Sequence, residues 1–133
     1  MTESPKGGKK SGVIDRLVGA LRYSWAGFRH AVLNEAAIRD ELVVIAILTP
    51  VSLALDISGV ERLILMLSMM LVLLVEFINS AIETTVDRIS TEQHPLAGRA
   101  KDLGSAAVFI ALMMSALSWA VIAGPILVRS ARH

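Results

Sequence analysis

Residues 103–128 read LGSAAVFIALMMSALSWAVIAGPILV, a run of 26 residues without a charge. At ~1.5 Å per residue, an α-helix of this length exceeds the ~30 Å hydrocarbon core of a bilayer, so the run predicts a transmembrane helix. Upstream, Leu63–Val75 is uncharged for 13 residues and Leu42–Leu55 for 14. The 63–75 run reaches bilayer thickness only by taking in Glu76 to Ile82. The 42–55 run does so only by starting near Ala36 and accepting Arg39, Asp40 and Glu41. The expected spans are ~36–55, ~63–82 and ~103–128, and two of them carry polar groups that a plain anchor would avoid. Pro50 is expected to kink the first span, and Gly124-Pro125 the end of the third.

The rest of the chain agrees with a membrane setting. Its 133 residues suffice for one domain and are 54% hydrophobic and 19% charged, with a mean hydropathy of +0.62. That excludes the disorder-prone corner of low hydrophobicity and high charge, and it is too apolar for an ordinary soluble domain. A net charge of +1 supplies no basic surface for nucleic acid. The absence of Cys removes disulfides, thiolate metal sites and Cys nucleophiles, and three His (His30, His94, His133) make a His-rich metal site a poor fit.

Residues 1–12 (MTESPKGGKKSG) read as a flexible basic tail. Over residues 13–33, Ile14, Leu17, Val18, Leu21, Trp25, Phe28 and Val32 follow helical spacing on one stripe edged by Arg22 and Arg29. The pattern predicts an amphipathic helix lying in the membrane interface with its arginines snorkelling. Arg16, Arg22 and Arg29 interrupt any signal-peptide core. Six of the 13 Lys/Arg precede residue 31, and the 84–102 connection carries Arg88, Arg99 and Lys101, whereas the 56–62 loop (DISGVER) is short and slightly acidic. The positive-inside rule then places the N-terminus and the long connection in the cytoplasm, against the weaker pull of Arg129 and Arg132. In that orientation Glu35, Glu83, Lys101 and Asp102 all lie near the cytoplasmic boundary, with Glu76 about 10 Å deeper.

The chemistry gathers on the second span. Glu76, Asn79, Glu83 and Asp87 are spaced i, i+3, i+7, i+11 and form one stripe on a helix, with Ser80 beside it. Asn79 and Ser80 alone would suit hydrogen bonds between helices. Three carboxylates do not, because each needs a cation and the span supplies none before Arg88. Asp87 and Arg88 can pair locally. A divalent metal, or a carboxyl poised to accept a proton, would resolve the rest. The familiar phosphate cradles are missing: GGKKSG at 7–12 lacks P-loop spacing, and there is no GxGxxG, HRD or DFG set, nor HExxH or GxSxG.

NEAA at 34–37, EFINSAIETTVDRI at 76–89, EQHPLAGRAKDLGSAAV at 92–108 and RYSWAGFRHA at 22–31 strongly resemble the small bacterial integral-membrane diacylglycerol kinases, a family that also holds undecaprenol kinases. The resemblance covers roughly residues 13–128. It implies an all-α membrane fold, with an N-terminal amphipathic surface helix and three transmembrane helices assembling as a homotrimer. The active sites would be composite, at subunit contacts, in the bacterial inner membrane. It implies ATP-dependent phosphorylation of diacylglycerol, with Mg²⁺ as cofactor.

Carried over by position, Glu76 resembles the general base, Glu35 and Glu83 the Mg²⁺ ligands, and Asn79 a residue orienting groups between them. Arg16, Tyr23, Glu92, Gln93, His94, Lys101 and Asp102 fall, with Glu35 and Glu83, on ATP-contact positions. Arg39, Glu41, Ser105 and Trp119 fall, with Glu76, on lipid-contact positions. Gln93 stands where relatives often have Tyr, which puts the nucleotide contact there in question. His94 suits a loop hydrogen bond equally well, and Trp119 suits a lipid-facing aromatic. The GRAKDLGSAAV stretch reads nearer the diacylglycerol branch than the polyprenol branch. Gly104, Ser105, Ala106 and Ala107 would permit close helix contact. A reading of another class, an oligomeric ion or proton pathway through the same carboxylates, leaves the charges of 92–102 without a purpose.

Overall fold

A computed structural model describes residues 12–89 and 94–130, so all but the last residue of the expected tail lies outside the described residues. Every regular element among the described residues is an α-helix: α1 (Val13–Asn34), α2 (Ala36–Ala54), α3 (Gly59–Ile89), α4 (Pro95–Ile122) and α5 (Gly124–Ser130). The helix α1 forms one compact unit, and α2 to α5 form a second.

Within α1, the Arg22 guanidinium lies over the Tyr23 ring at 5.4 Å. Trp25 and Phe28, one turn apart, stack with ring centroids 6.4 Å apart. Ile14, Leu17, Val18, Leu21 and Trp25 are all exposed. At the C-terminal end the Asn34 side-chain amide donates to the His30 carbonyl at 2.8 Å, one turn back.

In the second unit α3 packs against both α2 and α4. Helix α2 runs into the α2–α3 connection past Pro50, which has no N–H to return to the preceding turn. The α2 terminus is held from outside the helix. Arg62 of α3 donates from Nε to the Ser52 carbonyl at 3.0 Å and from Nη2 to the Leu55 carbonyl at 3.1 Å. A cation on the negative end of a helix dipole is favourable as well as a hydrogen-bond donor. Helix α3 then starts on a reciprocal cap: the Ser58 N–H donates to Glu61 Oε2 at 2.8 Å, and the Glu61 N–H donates to Ser58 Oγ at 3.2 Å.

The α3–α4 seam is antiparallel and is marked at two heights. Ser68 Oγ meets Ser115 Oγ at 3.2 Å, and Asn79 lies against Gly104. On each helix the two markers are 11 residues apart, close to three turns, so both fall on one face about 16 Å apart. Leu65, Met69, Val72 and Ala111 fill this packing and are almost fully buried.

Helices α3 and α4 are long and apolar enough to cross a membrane. The 19-residue α2, with Arg39, Asp40 and Glu41 near its start, is not among the helices that meet that measure. The third apolar run lies in a helix that starts ahead of it and breaks near its end, where Gly124-Pro125 was expected to kink it. Helix α4 begins at Pro95, where proline needs no helical N–H partner. It is capped by His94, whose Nδ1 accepts from the Leu96 N–H at 3.2 Å. It stops at Ile122 and α5 starts at Gly124. Pro125 has no N–H to offer the carbonyl of Val121, and its ring would crowd that carbonyl in a continuous helix.

Candidate active site

The stripe Glu76, Asn79, Glu83 continues the buried row Leu65, Met69, Val72 with the same alternation of three and four residues along α3. That period keeps a row facing the neighbouring helices over several turns. Glu76, Asn79 and Glu83 are half-buried, whereas Leu74, Ile78 and Ala81, on the other side of the helix, are exposed. The acidic groups thus lie along the helix-packing face.

Asn79 is the pivot of this stripe. Its Nδ2 donates to Glu83 Oε1 at 3.0 Å, one turn further along. Its Oδ1 is buried without a hydrogen-bond partner and is turned toward the backbone of α4 at Gly104. A buried amide oxygen without a donor is costly, on the order of 1–3 kcal/mol. The position of the amide is therefore imposed by the α3–α4 contact.

On the α2 side, Glu41 is buried to 9% exposure. Its carboxylate lies within electrostatic reach of Glu76, and Glu76 within reach of Glu83. Helices α2 and α3 run antiparallel, with Arg62 opposite Leu55 and Glu41 opposite Glu76. Six residues back from Glu41, about 9 Å, is Glu35, and seven residues on from Glu76, about 10 Å, is Glu83. Glu35 and Glu83 therefore stand at about the same level of the α2–α3 pair. Glu35 is the single non-helical residue between α1 and α2, in extended conformation at the N-cap of α2, and its side chain makes no cap bond. Among the described residues no cation pairs with Glu76 or Glu83, and no three acidic or His side chains converge on a metal site.

The other expected site residues are distributed as follows. Lys101 pairs with Asp87 across the α3–α4 seam, so Asp87 takes its cation from α4 rather than from neighbouring Arg88. That pairing had no local signal, because the two residues lie 14 apart in sequence and on different helices. His94 spends Nδ1 on its cap, so a nucleotide contact there would use Nε2. Asp102, Ser105 and Arg39 are exposed. Trp119 is half-buried, with an indole N–H that has no partner. Arg16 and Tyr23 lie on exposed positions of α1. Glu92 and Gln93 lie outside the described residues.

The donor set suits a hard cation. Glu35 and Glu83 offer only carboxylate oxygens, Glu35 is spared from capping, and Glu83 carries a neutral amide in place of a countercharge. Mg²⁺ is commonly held by one or two carboxylates together with substrate phosphates.

These features describe an all-α chain that has two helices long and apolar enough to cross a membrane and carboxylates built into its helix packing. The sequence profile of the prokaryotic diacylglycerol kinases matches residues 22–123. The chain is 47% identical over 107 residues to a diacylglycerol kinase of Escherichia coli, covering 80% of this chain and 88% of that protein. It is 45% identical over 122 residues to one of Pseudomonas aeruginosa, covering 92% and 98%. With one of Haemophilus influenzae the identity is 43% over 106 residues, covering 80% and 90%. The chain belongs to the prokaryotic diacylglycerol kinase family, a family of lipid kinases.

Proposed function

We propose that this chain transfers the γ-phosphoryl group of ATP to the primary hydroxyl of diacylglycerol, giving phosphatidic acid and ADP, at the cytoplasmic face of the bacterial inner membrane. The observation that carries the reading is the half-buried row Glu76, Asn79, Glu83 on the packing face of α3, with Glu41 beside Glu76 and no pairing cation among the described residues. Carboxylates are retained inside a membrane-spanning helix when they have work to do.

Phosphoryl transfer asks mainly for positioning, charge neutralisation and a base at the attacking hydroxyl. Glu76 is placed to take that proton as the lipid oxygen attacks the γ-phosphorus and the bond to the departing ADP breaks. Glu35 and Glu83 are the residues that would hold Mg²⁺, which neutralises charge on the transferring phosphates. Asn79 keeps the Glu83 carboxylate oriented. Lys101, steered by Asp87, supplies positive charge at the nucleotide end. Tyr23 and Arg16 on α1 add nucleotide contacts, as do Glu92, Gln93, His94 and Asp102. Arg39, Glu41, Ser105 and Trp119 line the lipid side.

Helix α2 acts as a membrane span beside α3 and α4, the first in chain order, entering at the cytoplasmic boundary with Glu35, and α1 lies on the membrane surface. The exposed apolar sides of α2 to α4 face lipid and two further copies of the chain in a homotrimer. The reading is tested by incubating purified protein in mixed micelles with ATP and Mg²⁺, offering diacylglycerol or undecaprenol. Phosphatidic acid as the dominant, Mg²⁺-dependent product is expected. A clear preference for the polyprenol, or ion conductance in vesicles without ATP, would overturn it.

A further inference from the structure

Gly104 of α4 faces the acidic half of α3 at Asn79. It is buried, and a Cβ built on it would collide with Asn79 Oδ1 and press on the Asn79 side-chain carbon. By contrast, nothing lies within 4 Å of a Cβ built at Gly27, Gly59, Gly98 or Gly124. The contact falls on a polar side chain that is itself committed. The Asn79 amide donates to Glu83 Oε1, while its oxygen is sealed without a partner. The amide is thus held on one side by a carboxylate and faces bare backbone on the other.

From this geometry we infer that Gly104 is a positioning residue for the acidic site: by lacking a side chain it seats the Asn79 amide so that the amide can hold the Glu83 carboxylate. Any side chain at 104 displaces the amide and frees that carboxylate to rotate. The alternative role, close packing of α3 on α4, predicts a loss indifferent to what stands at 79. The inference rests on the proposed phosphotransfer for its activity readout and not for its structural one.

The test compares Gly104→Ala, Asn79→Ala and the double variant, with Gly59→Ala as a control outside the site. The Asn79 side-chain amide resonance, assigned by its loss in Asn79→Ala, reports the geometry. The gain in thermal stability with Mg²⁺ and a non-hydrolysable ATP analogue reports binding, and kcat and the Mg²⁺ titration with diacylglycerol report function. In Gly104→Ala the amide resonance is expected to shift, the ligand-induced stabilisation to shrink, and kcat to fall on the order of 100-fold, as misplacements near reacting groups do. In the Asn79→Ala background, adding Gly104→Ala is expected to cost less than about twofold further, because interacting residues are non-additive. An unmoved amide resonance, or an equal loss from Gly104→Ala in both backgrounds, overturns the inference. A shifted resonance in a protein with no lipid kinase activity would leave it standing and defeat the proposed function instead. Should Gly104→Ala fail to fold, recovery of folding in the double variant supports it, and failure there overturns it.

Discussion

Helix α3 presents two halves of one seam. From Leu65 to Val72 the packing face is apolar and nearly water-free, with Ser68 satisfied twice, by the Leu65 carbonyl at 2.8 Å and by Ser115 at 3.2 Å. From Glu76 to Glu83 the same face, at the same period, carries two carboxylates and an amide whose oxygen has no partner. The helical geometry is shared, so the difference lies entirely in side-chain chemistry. One half is satisfied within the described helices. The other holds two carboxylates with no pairing cation among the described residues and an amide oxygen with no donor.

Substitutions in the two halves should therefore separate. The largest effect is expected from Glu76→Gln, which preserves shape but removes the base, with a loss of activity on the order of 10²–10⁴-fold in a diacylglycerol phosphorylation assay. Glu35→Gln or Glu83→Gln should instead move the Mg²⁺ titration, raising the half-activating concentration by about tenfold or more, in keeping with one lost charged ligand. An unchanged titration would remove both from the metal. The smallest effect belongs to the apolar half. Ser68→Ala should reduce stability by about 0.6 kcal/mol, as interhelical hydrogen bonds in membranes typically do, and leave kcat alone. A fall in kcat there would erase the division between the halves.

The helical class and the acidic stripe were legible in the sequence, because both depend on local periodicity: uncharged runs long enough to span, and polar residues three and four apart. The N-terminal signal of α4, His94 followed by Pro95, was also present, and it starts the helix eight residues ahead of the uncharged run that marks the expected span. What could not be read is what depends on register between helices. Asp87 meets Lys101 rather than Arg88, and Asn79 meets Gly104, because α3 and α4 align antiparallel at one particular height. Local patterning says which face of a helix is polar and is silent on what stands opposite. Gly104 was visible as one of several small residues suited to close contact, without any sign that the Asn79 amide would occupy the space.

The central claim is that the acidic half of the α3 seam performs the proton transfer, and kinetics and binding measured side by side on Glu76→Gln test it most directly. With diacylglycerol in micelles, turnover should fall by at least ~10²-fold while the affinity for Mg²⁺ and a non-hydrolysable ATP analogue stays within about twofold of the parent. Turnover equal to that of the parent protein, at unchanged nucleotide affinity, would contradict it.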